Sequence, residues 1–227
     1  MSPHYRTLTP PIDGSAMKTS LLLLVALLLL AAQAGATNLI QNGSFQTNDF
    51  TGWTIGTTSN GTWGQGYPVV TGWPLGGMNA AQGEVGEVNF DGTLQGGTLS
   101  QSFVSGAGAA TLSFDWAAMG DGMHNNLDGG DFELILDGIT LANFDVGAIG
   151  PNDLFHGTLS ANTTLTAGMH TLEIDVLRPF ISILSNTPYQ YVTAVDVEGT
   201  VPEPSSIVLL GTGALGLAGV LRRKLGF

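Results

Sequence analysis

Between residues 37 and 200, hydrophobic and polar positions alternate with a period of two, which is typical of strands that bury one face. Leu112, Phe114 and Trp116 share one face of such a strand, and the polar residues between them share the other. The same alternation recurs in residues 131–138, 170–176 and 191–200. These segments predict strands.

In the last of these segments, the pattern places Tyr191, Val195 and Val197 on one face of a closing strand. Turn signals separate the runs, at Asn42-Gly43, Asp137-Gly138 and Ala167-Gly168. No segment of ten residues in this region has a helical period. The pattern therefore predicts an all-β domain, an antiparallel β-sandwich, over residues 37–200.

The N-terminal region has the three-part layout of a secretory signal peptide. A short basic start at Lys18 precedes an apolar run over residues 21–32, and small residues follow, with Ala34 and Ala36 as the cleavage signal. We therefore interpret residues 1–36 as a signal peptide region with a signal helix. Met17 is the expected true start.

The C-terminal region, residues 201–227, has the layout of a membrane segment. Residues 205–221 contain no charged side chain and are long enough to span a bilayer as a transmembrane helix. Arg222, Arg223 and Lys224 follow at once and predict a cytoplasmic stop. The signal would export the middle of the chain and the tail would hold it at the inner membrane.

Pro202, Glu203 and Pro204, followed by the apolar segment and the Arg-rich end, resemble the PEP-CTERM sorting signal of Gram-negative bacteria. The resemblance implies recognition by an exosortase at the inner membrane, with these three residues as recognition elements. The protein would then be released or transferred to the outer surface or extracellular matrix. Such proteins are associated with exopolysaccharide and biofilm. A plain single-pass anchor is the alternative.

Charge narrows the set of partners. Residues 37–200 contain sixteen acidic residues and one basic residue, Arg178, which gives a formal charge of −15. Such a surface repels phosphate backbones, so we expect no nucleic-acid partner. The chain has no cysteine, which excludes a disulfide scaffold and a cysteine nucleophile.

Residues 38–53 carry a second resemblance. Asn38-Leu39-Ile40, Asn42-Gly43-Ser44-Phe45 and Gly52-Trp53 are similar to the start of galactose-binding-like jelly-roll domains. The resemblance implies a jelly roll used for binding, often of carbohydrate, sometimes with a structural calcium ion. That ion would lie among Asn42, Gln46 and Asp196. Gln46 departs from the family, which often has Glu at this position.

Aromatic residues in the uncharged, glycine-rich residues 59–77 are candidates for sugar stacking. Trp63, Tyr67 and Trp73 would offer ring faces on loops, or would instead fold onto the edge of the sandwich. Asp121, Asn125, Asn126, Asp128 and Asp131 form an oxygen-rich loop that either holds calcium or is solvated.

No nucleophile elbow or zinc-protease motif is present in the sequence, so we expect no enzyme activity. The sequence thus predicts an exported, non-catalytic surface protein that binds exopolysaccharide. A self-assembling structural protein is the alternative, and an extracellular glycan hydrolase is the second alternative.

Overall fold

The computed structural model describes residues 37–89, 92–179 and 187–199, together with residues 211 and 213. The described strands lie within one compact unit, Ala36–Pro202. In chain order they are β1 (Thr37–Asn38), β2 (Thr54–Thr57), β3 (Gly61–Thr62), β4 (Val69–Gly72), β5 (Asn79–Gly83), β6 (Gly86–Glu87), β7 (Gln95–Ser105), β8 (Gly108–Met119), β9 (Asp131–Leu136), β10 (Ile139–Asp145), β11 (Leu154–Leu165), β12 (Gly168–Arg178) and β13 (Tyr189–Gly199).

These strands form two large antiparallel sheets and a small one. Sheet A has the order β11-β8-β13-β5-β4, and β1 also pairs with β13. Sheet B has the order β10-β9-β12-β7-β2, and β3 pairs with β6. The prediction of an all-β antiparallel sandwich is confirmed. The predicted signal helix and transmembrane helix lie outside the described residues.

The core lies between sheets A and B, and the predicted alternation supplies it. Leu112, Phe114 and Trp116 of β8 point inward as expected. From sheet B, the inward positions of β9 and β12 meet them; these are Phe132, Leu134, Leu136, Leu172, Ile174 and Val176. Burial of these apolar side chains supplies the main driving force for the fold, since the chain has no disulfide.

The closing strand β13 differs from its predicted face pattern. Val195 and Val197 lie in the main core as predicted, but Tyr191 lies in a second hydrophobic cluster on the outer face of sheet A. The register of β13 against β8 shifts between Thr193 and Asp196, and Ala194 has a φ of 49°. This β-bulge adds one residue and reverses which side chains face inward. The prediction that Tyr191 shares a face with the two valines is therefore wrong.

The turn predicted at Asp137-Gly138 is confirmed. It joins β9 to β10, and both residues have positive φ angles, 50° and 78°. Positive φ at both central residues is the requirement of a two-residue hairpin that matches the twist of its strands. The hairpin makes β10 the edge of sheet B, opposite the edge strand β11 of sheet A.

Candidate functional site

Trp63 closes one end of the core between the two sheets. Its side chain is 3% exposed, and its indole N–H donates to the carbonyl of Gly56 at 2.8 Å. The ring lies against Gly83 of β5 and Gly97 of β7, where any Cβ would overlap it. Trp63 is thus a packing residue that fills a slot between sheets A and B.

Trp73 lies on the outer side of sheet A, whereas Tyr67 is partly buried and packs against the main core. Trp73 is 7% exposed and meets the ring of Tyr191 edge to face, with centroids 6.3 Å apart. The hydroxyl of Tyr67 donates to Oε1 of Glu84 at 3.3 Å. Burial, with the nearby Glu84 and Tyr189, raises the pKa of Tyr67 to about 12.

The three aromatic residues predicted for sugar stacking therefore do not form one exposed platform. Both tryptophans are buried in hydrophobic clusters, and only Tyr67 is partly exposed. The expectation that Trp63 and Trp73 offer ring faces on loops is corrected, because glycines and neighbouring aromatic residues seat both indoles.

A pocket of about 360 Å³ opens instead between the edge strands β10 and β11. It is lined by residues of both sheets and of the start of the loop after β10: Trp116, Phe144, Val146, Phe155, His156, Gly157 and Thr158. Phe144 is 44% exposed and Phe155 is 42% exposed. We call these seven residues the edge pocket.

Gly157 and Trp116 create the edge pocket together. They are cross-strand partners, and a Cβ at Gly157 would lie 3.1 Å from the indole of Trp116. That indole is stacked between Phe132 and Phe144, with centroid separations of 5.2 and 4.6 Å. A glycine inside a strand often marks a place where another group approaches the backbone closely.

Polar groups lie at the rim of the edge pocket. The hydroxyl of Thr158 donates to Oδ1 of Asp115 at 2.5 Å across the two strands. His156 is exposed beside it. The sequence patterns did not single out Phe144, Phe155 or His156 as site residues. Phe144 occupies an inward position of its strand, and its exposure arises only because the two sheet edges are open there.

The residues predicted for calcium are partly committed to other bonds. The side chain of Asn42 closes its own turn, since its amide N–H groups donate to the carbonyls of Asp49 and Thr51. Gln46 is exposed. Asp196 has a buried Oδ1 without a hydrogen-bond partner among the described residues, and burial raises its pKa. Of the three, Asp196 alone offers an unused buried oxygen, so as they stand the three do not form a complete ligand set.

In the oxygen-rich loop predicted as a second calcium candidate, carboxylates accept hydrogen bonds from backbone amides of the same loop. Asp121 accepts from the amides of Met123 and His124, and Asp128 accepts from the amide of Gly130. Among the residues that the structure describes, no group of three or more His, Asp or Glu side chains is placed to hold a metal ion.

Other predicted site residues lie outside the described part of the chain. These are Ala34 and Ala36 of the signal region, Pro202, Glu203 and Pro204 of the sorting motif, and Arg222, Arg223 and Lys224 after the apolar segment. Among the described residues, no helix has the length and apolar character needed to cross a membrane.

Three solved structures illustrate what the chain is similar to. TmCBM61 in complex with beta-1,4-galactotriose is 13% identical with a TM-score of 0.43, over 71% of this chain and 98% of that one. The CBM22-1 xylan-binding domain of Paenibacillus barcinonensis Xyn10C is 14% identical with a TM-score of 0.41, over 75% and 99%. The K3 cleaved adhesin domain of Lys-gingipain from Porphyromonas gingivalis is 11% identical with a TM-score of 0.43, over 73% and 99%.

No curated protein matches the chain in sequence. A comparison with family models matches residues 200–224 to the PEP-CTERM protein-sorting motif, which includes the Pro202-Glu203-Pro204 signature. The motif indicates an exported protein that is processed at the membrane and sorted to the cell surface. The chain therefore carries a PEP-CTERM sorting motif at its C-terminal end.

Proposed function

We propose that this chain is an exosortase substrate of the bacterial surface or extracellular matrix whose sandwich binds exopolysaccharide without cleaving it. The sorting motif at residues 200–224 supports delivery to the outside of the cell. The edge pocket supports the binding step. The exopolysaccharide, the outer-surface destination and the exosortase partner are parts of this proposal.

The observation that carries the binding proposal is the exposure of two aromatic rings in a concave site. Phe144 and Phe155 stand on opposite sheet edges and both face the edge pocket. Sugar rings present apolar C–H faces, and aromatic faces bury apolar area against them. Thr158 and His156 also line the edge pocket, but they alternate with Phe155 and Gly157 along β11, so their side chains lie on the outer side of sheet A. They can therefore meet sugar hydroxyls at the rim of the pocket.

The lining of the edge pocket supports binding without hydrolysis. Glycosidases use two carboxyl groups about 5–9.5 Å apart on either side of the scissile bond. No carboxylate is among the residues that line the edge pocket. The carboxylate at its rim, Asp115, already accepts the hydroxyl of Thr158.

The test measures retention of the full chain, in non-ionic detergent, on immobilised exopolysaccharide prepared from the host. Phe155→Ala is expected to lose most of the retention, because it removes an exposed ring without opening the core. Met169→Ala is the matched control, since Met169 is an exposed apolar side chain of β12 outside the pocket. Equal retention of the wild type and both variants would contradict the proposal.

Self-assembly is a second candidate function, and strand β11 favours it. This edge strand is 12 residues long and contains no Asp, Glu, Lys or Arg, although the domain is strongly acidic. The other edge strands have features that prevent pairing with another chain: β2 and β4 have 4 residues each, and β10 carries a bulge. Long, uncharged edges pair readily with another chain.

Light scattering at increasing protein concentration tests this second candidate. Asn162→Lys places a charge on the exposed face of β11 and is expected to abolish any concentration-dependent growth in mass. Thr171→Lys, on the exposed face of the interior strand β12, controls for the added charge. A constant monomer mass for the wild type would remove this candidate and leave glycan binding alone.

A further inference from the structure

The outer face of sheet B gathers five carboxylates, which we call the acidic face. They are Asp131 and Glu133 of β9, Asp145 of β10, and Glu173 and Asp175 of β12. Two cross-strand pairs consist of two acids each, Asp131 with Asp145 and Glu133 with Asp175. Like charges placed directly across a ladder are destabilising, so this arrangement requires a compensating group.

Asp175 lies at the centre of the acidic face and is the most buried of its five carboxylates. It is 8% exposed, and its Oδ1 is buried without a hydrogen-bond partner among the described residues. Glu133 faces it across the ladder, and Glu173 is two positions away on the same face. Burial, together with Glu173 and Glu133, raises the pKa of Asp175 to about 7.

Within the described part of the chain, the one Lys or Arg side chain lies away from this face. Arg178 is the one Lys or Arg between residues 37 and 200. Its side chain points to the other side of sheet B, where Nε donates to the carbonyl of Asp128 at 3.0 Å and Nη1 donates to that of Val85 at 3.4 Å. A buried carboxylate without a donor takes a proton or a cation from solution.

We propose that the acidic face binds a divalent cation of the calcium type, bridged by the carboxylates of Glu133 and Asp175. Directly opposed side chains have Cβ atoms about 5 Å apart, which lets two carboxylates reach one ion with oxygen–metal distances of about 2.3–2.6 Å. Glu173, Asp131 and Asp145 surround this pair and add negative potential without contacting the ion.

The proposed site meets water at Glu133, which is half-buried, whereas Asp175 is buried. No three acidic or histidine side chains converge among the described residues, so water completes the coordination shell. Few protein ligands give weak affinity, and calcium sites of extracellular modules have dissociation constants of about 10⁻⁴–10⁻³ M. Such a site would be occupied outside the cell and empty inside it.

The test is a calorimetric titration of the full chain with calcium chloride, in non-ionic detergent at pH 7.5 after treatment with chelator. Asp175→Asn and Glu133→Gln are each expected to weaken binding at least ten-fold. Asp153→Asn is the matched control, because it also removes one charge, and the remaining oxygen still accepts the amide of Gly150. We expect this control to bind as the wild type does.

The matched control distinguishes ion binding at the acidic face from general charge screening, because Asp153→Asn removes the same charge at a different place in the domain. Asp175→Asn removes a repulsive charge and is expected to stay folded, which thermal unfolding in chelator verifies. Calcium uptake by Asp175→Asn equal to that of the wild type, or no uptake by the folded wild type, would overturn the proposal.

Discussion

Asp175 should make the domain less stable as the pH rises, even without any metal ion. Its pKa is raised from 3.8 to about 7 by burial and by Glu173 and Glu133. In the unfolded chain, the carboxyl group loses its proton near pH 4, whereas the folded protein keeps it until about pH 7. Folding therefore takes up a proton between these values, and stability falls as the pH rises through this window.

The magnitude follows from the shift. A difference of about 3 pKa units corresponds to about 4 kcal/mol at 1.36 kcal/mol per unit. We expect the free energy of unfolding to fall by up to about 1.4 kcal/mol per pH unit between pH 5 and pH 7 from this group alone. Asp175→Asn cannot ionise, so it should remove this part of the slope and unfold at higher temperature than the wild type at pH 8.

Urea unfolding of the full chain in chelator, at pH 5, 6, 7 and 8, measures the slope. Other groups contribute with the same sign: burial and the neighbouring Asp145, Asp128 and Glu133 raise the pKa of Asp131 to about 6. Comparing each variant with the wild type isolates Asp175, and Asp153→Asn shows the effect of net charge. If Asp175→Asn keeps the full wild-type slope, then Asp175 is ionised in the folded protein and the reasoning about its burial fails.

Four further predictions follow from single side chains. Gly157→Leu should abolish retention on exopolysaccharide, because a side chain there fills the edge pocket; retained binding by the folded variant would exclude the pocket. The two ring nitrogens of His170 bond to the carboxylate of Asp137 and to the carbonyl of Thr166, and these bonds raise the pKa of His170 from 6.5. The resulting contribution to stability is fully present below pH 6.5 and is lost as the pH rises through the raised pKa. His170→Gln should therefore destabilise the domain at low pH and have little effect well above the raised pKa. Unfolding at pH 5.5 and pH 8.5 measures this loss, and equal effects at both values would contradict it. In the calorimetric titration, Asp196→Asn should bind one calcium ion fewer per chain than the wild type. An unchanged number of bound ions would exclude Asp196 as a ligand. Gly97→Ala should destabilise the domain by about 1–3 kcal/mol in urea, whereas an alanine at Gly72, where a Cβ meets open space, should change stability by at most about 1 kcal/mol.

The sequence predicted the strands whose apolar and charged residues alternate strictly. The core positions of β8, β9 and β12 follow this rule, because each strand has one face in the core and carries its acids on the other. The hairpin turn at Asp137-Gly138 was also predictable, since it requires positive φ at both residues. These features depend on local chemistry that a single segment carries.

Features that depend on neighbouring strands were not predictable from the pattern. The bulge near Ala194 has no glycine to mark it, and it reverses the faces of β13. Strand β11 alternates small polar residues with apolar ones and carries no charge, so its pattern is weak. Trp63 lies in a glycine-rich segment outside any long strand, so its local sequence is typical of a loop. Its burial depends on Gly83 and Gly97, which are distant in sequence and contact its ring.

The same packing device explains both the buried tryptophan and the open pocket. In each case, an indole lies over a glycine within a strand, where no side chain separates the ring from the backbone. At Trp63, glycines from both sheets enclose the ring, so the core is closed. At Trp116, Gly157 belongs to the edge strand β11, and beyond that strand sheet A does not continue. Phe144 covers one face of the ring, and the space left beside it is the edge pocket. A binding site at this position therefore needs no special loop, because it arises wherever an interior packing arrangement reaches the edge of a sheet.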